Sequence, residues 1–168
     1  MTTYATLNDL LAAATNGWEE LAQRGGMSAL VDGGLLYATA QASDRSAWSL
    51  EAQAAADAAL VRLNDALVRA SSHADTYMFP RYRTVMPLAP EVVQASALPS
   101  VVAAIALQRL YGTSVPEEVR KGTQWAHDYL RDLSKGVVSL GAVDVTVAQP
   151  AGHVITRVPA KAFDWAGY

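Results

Sequence analysis

The chain contains no cysteine among its 168 residues. Disulfide bonds, thiolate metal sites and cysteine nucleophiles are therefore excluded by composition alone. The chain also lacks the Gly-x-Ser-x-Gly motif of hydrolases and the Lys-Ser/Thr pair that would turn its glycine pairs, Gly25-Gly26 and Gly33-Gly34, into a phosphate-binding loop. We interpret those glycines as turns.

Long apolar runs and a strong charge of one sign are also missing. The apolar run at 95–107 is broken by Pro99 and is too short to span a bilayer. Residues 1–6 show no basic region followed by an apolar stretch, so no signal peptide is expected. The formal net charge of −3 provides no basic field to attract nucleic acid. We expect a soluble chain with no membrane partner, synthesised in the cytoplasm.

Candidate catalytic and metal-ligating residues are sparse. His73, His127 and His153 lie far apart in sequence, and no His-Glu-x-x-His motif or carboxylate triad accompanies them. They are interpreted as histidines on exposed helices or turns. The acidic residues lie at helix starts and on solvent faces, and none of them forms an obvious acid/base pair. We expect no metal, no cofactor and no enzymatic activity.

What the sequence has in abundance is helical periodicity, which predicts a mainly α fold built as a small helical bundle. Ser49 is a suitable N-cap for a long helix over 50–78, and leucines and alanines recur along it at steps of three and four. Pro99 begins a helix over 99–111 that is apolar on nearly every side, which is typical of a buried helix. A third helix is predicted over 116–135, where Gly122 indicates close packing because glycine weakens a helix interior. Shorter helices are expected after Thr6 and over 18–23.

Two regions depart from this pattern. Residues 24–48 are predicted to be an irregular insertion, with a strand-like or short helical segment at 35–38. After residue 140 the period becomes alternating, and valines on both sides of Gln149 to Gly152 indicate a β-hairpin. The chain finishes with Phe163, Trp165 and Tyr168, side chains that water accommodates poorly, so this end is expected to dock on a partner. We divide the chain into a helical domain, 1–141, and a C-terminal hairpin and arm, 142–168.

The connection between the predicted helices over 50–78 and 99–111 is rich in proline, aromatic and basic residues. Pro80 is expected to end the long helix, and Tyr77, Phe79 and Tyr82 are expected to cover the ends of neighbouring helices. Arg81, Tyr82 and Arg83 have two interpretations: a contact to phosphate or carboxylate, or pairing with Asp75 or with the carbonyl groups at a helix C-terminus. We favour the second. Arg109 must reach a carboxylate or lie at the edge of the core.

The order and spacing of several short motifs resemble a known family. These motifs are Tyr4 to Leu10, Ala74 to Tyr77 with Arg81-Tyr82, Pro87-Leu88 with Pro90, Ile105-Ala106 with Arg109 to Tyr111, and Val115 to Arg120, followed by Trp125, Leu130, Gly136 and Leu140. In this order they resemble the small neck proteins of Mu-like bacteriophages, which are related to head–tail connector (adaptor or head-completion) proteins. The resemblance covers about 4–22 and 50–141; residues 24–48 look longer than the usual link, and 142–168 fall outside it.

The resemblance implies a structural protein of the virion neck. It implies a homo-oligomeric ring of about twelve copies below the portal protein, closed by head-to-tail contacts and joined to a stopper or tail completion protein. Genomic DNA would pass through the lumen without sequence-specific binding. Phe163, Trp165 and Tyr168 of the arm, with Arg81, Tyr82 and Arg83, are the candidate contacts to the portal or another partner. The face with Ala52, Ala55 and Ala59 is the candidate contact between subunits.

Three other functions compete with the connector. A tail-terminator or tail-completion protein on the tail side of the neck is the main alternative, although a helical core argues against it. A helical DNA-binding regulator would need a basic recognition helix, whereas the charges along 116–135 have mixed signs. A small enzyme would need site residues that the sequence does not offer.

Overall fold

The computed structural model describes residues 3–141 of the chain, and this part contains seven α-helices. They are α1 (Leu7–Ala13), α2 (Gly17–Gly25), α3 (Gly33–Ala40), α4 (Leu50–Tyr82), α5 (Pro90–Gln94), α6 (Leu98–Leu110) and α7 (Glu117–Lys135). No strand occurs within residues 3–141, so the prediction of a mainly α fold is confirmed there. The predicted C-terminal hairpin and arm lie outside the described residues.

Short polar side chains fix where the helices begin. The Thr6 hydroxyl accepts a hydrogen bond from the Asp9 amide, and the Asp9 carboxylate accepts one from the Thr6 amide, which forms a capping box at α1. Asp32 and Ser49 cap α3 and α4 in the same way, by accepting from the amides of Leu35 and Ala52. These side chains satisfy amide groups that the first turn of a helix leaves without partners.

The bundle is built around two helices, α4 and α6. α4 packs against α1, α2, α3, α6 and α7, and α6 packs against α1, α4, α5 and α7. Every residue of α6 from Val101 to Leu107 is buried, as expected for a helix that is apolar on nearly every side. The predicted helices over 50–78, 99–111 and 116–135 correspond to α4, α6 and α7. The glycines that follow the last two, Gly112 and Gly136, have φ of 66° and 77°, the left-handed geometry that favours glycine.

Residues 24–48 are more ordered than predicted. α3 occupies the middle of this stretch, and its Leu35 and Leu36 are fully buried against the core. Of the two alternatives for 35–38, the short helix is therefore confirmed, and the description of the whole stretch as irregular was wrong. Gly33-Gly34 was interpreted as a turn, but the pair forms the first turn of α3 behind the Asp32 cap.

The prediction that α4 ends at Pro80 was also wrong, because the helix continues to Tyr82. A proline in the last turn removes one backbone hydrogen bond, and the burial of Met78 and Tyr82 (3% exposed) stabilises that turn. Tyr82 thus packs inside the bundle as expected, whereas Phe79 is 60% exposed. The predicted close packing at Gly122 is contradicted too: a Cβ there would have no neighbour within 4 Å.

Gly33 and Gly122 should respond in opposite directions to the same substitution. A Cβ at Gly33 would lie 2.9 Å from the backbone nitrogen of Glu19, so α2 and α3 would have to separate. We expect Gly33→Ala to lower the free energy of unfolding by about 1–3 kcal/mol. Gly122→Ala should raise it by about 0.5–1 kcal/mol because alanine is the better helix former and has open space. Urea unfolding followed by circular dichroism measures both, and equal effects would contradict this account.

Candidate partner-binding surfaces

Arg81 joins the C-terminal ends of α4 and α7. Its Nη1 donates to the carbonyl oxygens of Val138 (2.9 Å) and Leu133 (3.4 Å), next to Gly136. A guanidinium group is well suited to this position because it supplies donors and positive charge where a helix end presents carbonyl groups. The second interpretation of the Arg81 to Arg83 segment, pairing with helix C-terminal carbonyl groups, is therefore confirmed for Arg81.

The other residues considered together with Arg81 have different surroundings. Asp75 accepts a hydrogen bond from the hydroxyl of the buried Tyr4, so this carboxylate ties the N-terminal segment to α4. Arg83 is exposed, just beyond the end of α4. Among the three residues of the segment, only Arg83 therefore presents its side chain mainly to solvent.

The alanine face of α4 is covered by the chain itself. Ala52 and Ala59 are buried, and Ala55 is partly buried against the core. The helices packed on this half of α4 include α2 and α3; for example, Arg62 donates from Nη1 to the carbonyl oxygen of Gly25 at 2.6 Å. Small side chains do allow a helix to approach closely here, but that helix belongs to the same chain. Ala52 and Ala59 are therefore inaccessible to a second subunit in this fold, whereas Ala55 is partly accessible.

Two histidines that are distant in sequence meet between α4 and α7. The rings of His73 and His127 have centroids 6.0 Å apart, and Nε2 of His127 is hydrogen-bonded to Gln108 of α6 at 2.7 Å. Burial, followed by the nearby positive charge of Arg109, lowers the pKa of both histidines below the ordinary value. This pair could not be predicted, since residues 54 positions apart become neighbours only through the packing of α4 on α7.

A groove about 600 Å³ in volume lies on the outer side of α6, between α1 and α7. Its floor is a stripe of α6 at helical spacing: Ser100, Ala104, Leu107 and then Tyr111. One wall is α1 with the small side chains of Ala12 and Ala13. The other wall is a stripe of α7, made by Glu118, Gly122 and Trp125.

The groove combines an exposed aromatic side chain, open space and acidic residues. Trp125 is 47% exposed, and the open space at Gly122 belongs to the groove. Three carboxylate residues (Asp9, Glu20 and Glu118) and no lysine or arginine line it among the described residues. The groove therefore has an apolar floor, small side chains on both walls and an acidic character.

One end of the groove is held by a buried ionic cluster. Glu20 is only 8% exposed; it accepts hydrogen bonds from the Tyr111 hydroxyl (2.6 Å) and the Asn16 amide (3.1 Å). Burial alone would raise the pKa of Glu20, but these hydrogen bonds and the nearby Arg24 outweigh it and lower that pKa. The Arg24 guanidinium also stacks 4.0 Å from the centre of the Tyr111 ring. The cluster fixes α2 against the end of α6.

The groove was not predicted from the sequence. Two of its residues carry a sequence signal, Gly122 as a glycine inside a predicted helix and Trp125 as part of the family motif, but neither signal indicates a groove. Phe163, Trp165 and Tyr168 lie outside the described residues. Within residues 3–141 no group of three or more histidine, aspartate or glutamate side chains is placed to hold a metal ion. None of the helices in that range has both the length and the apolar character needed to cross a membrane.

Comparison with known proteins identifies the family. The family model described as "Bacteriophage Mu, Gp36" matches residues 4–158. The chain belongs to this family. The resemblance to a Mu-like phage protein is thereby confirmed, over more of the chain than the sequence motifs alone indicated. No curated protein and no solved structure matches the chain.

The two arginines near the end of α4 provide a matched test of the helix-end contact in this Gp36 family member. Arg81→Met should lower the free energy of unfolding by about 1–3 kcal/mol, because it leaves partly buried carbonyl groups without their charged donor. Arg83→Met, the control at an exposed position two residues away, should change it by less than about 0.5 kcal/mol. Urea unfolding of both variants is the measurement. If Arg83→Met cost as much as Arg81→Met, the contact to α7 would not be the source of the stability.

The His73–His127 pair should make the stability of the bundle depend on pH. In the folded chain both histidines have a pKa below 6.5, so as pH falls the unfolded chain binds protons first. The full contribution of the pair to the free energy of unfolding is present above about pH 6.5. It is lost as the pH falls toward the lowered pKa values of the two histidines. The charged groups facing the pair are Arg109 and Arg131, which disfavour protonation, and Asp128, which favours it.

Urea unfolding between pH 7.5 and 5.0 checks this expectation. The free energy of unfolding should decrease over this range more steeply for the wild-type chain than for the double variant His73→Gln, His127→Gln. Parallel curves for the two proteins would mean that the pair does not titrate differently in the folded and unfolded chains.

Proposed function

We propose that this chain is a structural protein of the phage virion, a head–tail connector that forms a ring below the portal and joins the capsid to the stopper or tail. The observation that carries the proposal is membership of the Mu Gp36 family, which makes this a phage protein. The connector role is a further step. It is supported by the resemblance of the ordered motifs to neck proteins and by the surfaces of the helical bundle.

The exposed apolar side chains of the bundle include a group toward each end of α4. Near its N-terminal half these are Met27 (87% exposed), Leu30 and Leu50; near its C-terminal end they are Phe79, Val85 and Val137. α4 has 33 residues, which corresponds to about 50 Å. A connector must bind one partner toward the capsid and another toward the tail, and apolar side chains near both ends of the longest helix suit that task.

The charge of the chain is compatible with DNA passing through a ring. A formal net charge of −3 supplies no strong attraction to phosphate groups, so DNA would slide past without being retained. In this proposal the protein does not bind DNA sequence-specifically and needs no cofactor, and its place is the neck of the virion.

Sedimentation with DNA-filled, tailless heads tests the connector role. Purified protein should pellet with the heads, and electron microscopy of the portal vertex should show additional ring density whose symmetry gives the copy number. Purified tails are the matched binding partner for the alternative. If the protein binds tails and not heads, the tail-terminator or tail-completion role replaces the connector; binding to neither contradicts both.

The same assay tests the arm. Phe163, Trp165 and Tyr168 are proposed to reach the portal or an adjacent subunit, because a terminus with these side chains gains most from burial against a partner. Deleting residues 159–168 should reduce head attachment at least tenfold while leaving the helical circular dichroism signal unchanged.

A chain with residues 159–168 replaced by a glycine–serine segment of equal length separates side-chain contacts from chain length. It should behave like the deletion. Attachment at the wild-type level by either variant would show that the arm does not make the contact.

A further inference from the structure

We infer that the groove between α1 and α7 receives residues 154–163 of a second copy of this chain. The inference rests on the proposed ring and names the surface through which one subunit holds the next. It depends on three features of the groove: its open glycine, its charge and its position relative to the end of α7.

Gly122 is the first feature. In the middle of a helix, glycine costs about 1 kcal/mol relative to alanine, and nothing in residues 3–141 approaches the space that a Cβ would fill. Ala12, Ala13 and Ala104 are small side chains that also line the groove. Together with Gly122 they leave room, between larger side chains such as Trp125, for the backbone of another segment to lie close to α6.

Charge is the second feature. The groove is lined by the carboxylate residues Asp9, Glu20 and Glu118 and by no lysine or arginine among the described residues. Residues 154–163 read Val-Ile-Thr-Arg-Val-Pro-Ala-Lys-Ala-Phe: two basic residues, no acidic one and several apolar side chains. Arg157 and Lys161 complement the acidic walls, of which Glu118 is the exposed member, and the apolar side chains match the stripe on α6.

Geometry is the third feature. Gly141 follows the C-terminal end of α7, whereas Glu118 lies in the first turn of that helix, about 26 Å away along the axis. Residues 142–153 span up to about 40 Å when extended, which is enough to carry 154–163 to a neighbouring subunit. Each subunit would then offer a segment on one side and a groove on the other. This is the heterologous contact that closes a ring.

The absence of natural cysteine allows a direct test by disulfide formation. One full-length chain carries Gly122→Cys and a second carries Ala162→Cys, and the two are mixed under mild oxidation, both free in solution over a concentration series and bound to filled heads. We expect a disulfide-linked heterodimer in at least one of these states. The control replaces Gly122→Cys by Lys121→Cys, an exposed neighbour about 100° around the helix, and should give at least fivefold less product.

A single chain that carries both Gly122→Cys and Ala162→Cys tests the opposite arrangement, in which a subunit fills its own groove. A disulfide within one chain would mean that each subunit fills its own groove, which overturns the inference. Absence of the heterodimer in both states overturns it as well.

Blocking the groove provides a second measurement that does not depend on cysteine chemistry. The side chain of Gly122→Trp projects into open space, so the fold should be retained, but self-association measured by analytical ultracentrifugation should weaken at least tenfold. Gly122→Ala is the matched control and should associate like the wild type. Equal association by both variants would contradict the inference.

The test of the groove contact and the test of the connector role can fail independently of each other. A heterodimer without head attachment would support the groove contact and reject the connector role. Head attachment without the heterodimer would support the connector and reject the groove contact.

Discussion

The structure depends on enclosing one helix that is apolar on almost all sides. α6 has no polar face to offer to water, so it is stable only where other helices surround it. α4 covers the largest part, α1 and α7 lie on either side, and α5 packs against it as well. Two short helices, α1 and α5, and two long ones, α4 and α7, are thus arranged by a single requirement. On the side of α6 between α1 and α7 the flanking helices leave the groove open, although Ala104 and Leu107 on its floor are still buried.

The connection after α4 serves the same packing requirement, the enclosure of α6. The bundle needs α7 to lie along both α4 and α6, and the end of α7 is fixed to the end of α4 by one guanidinium group, that of Arg81. The opposite end of the molecule has a corresponding contact, in which the hydrogen bond from Tyr111 to Glu20 fixes α2 against α6. Both contacts use a charged group within largely apolar surroundings. Losing one partner would therefore leave a poorly solvated group behind, which makes such contacts costly to break.

The sequence predicted those parts of the fold that local rules determine. Periodicity and caps are local, so α4, α6 and α7 were predicted almost to their observed ends, and Ser49 was recognised as the N-cap of α4. α3 was underestimated because its first two residues are glycines, and the small size of the first, Gly33, serves a close contact with Glu19 and not a turn. The His73–His127 pair, the Glu20–Tyr111 cluster and the groove could not be predicted, because each requires knowing which helices pack together. Short motifs in a fixed order gave the family, which no single residue could have given.

Stability and assembly make opposite demands on the α7 surface. For an isolated subunit the best residue at position 122 is alanine, and a large apolar side chain such as Trp125 should not be half exposed. The first choice costs the monomer free energy with nothing within residues 3–141 to fill the space, and the second leaves about half of the indole in water. Both would be explained if another chain completed the surface, because the space at Gly122 and the face of Trp125 would then be buried on association. In that arrangement the partner would stabilise the subunit, and folding of the subunit would be linked to assembly.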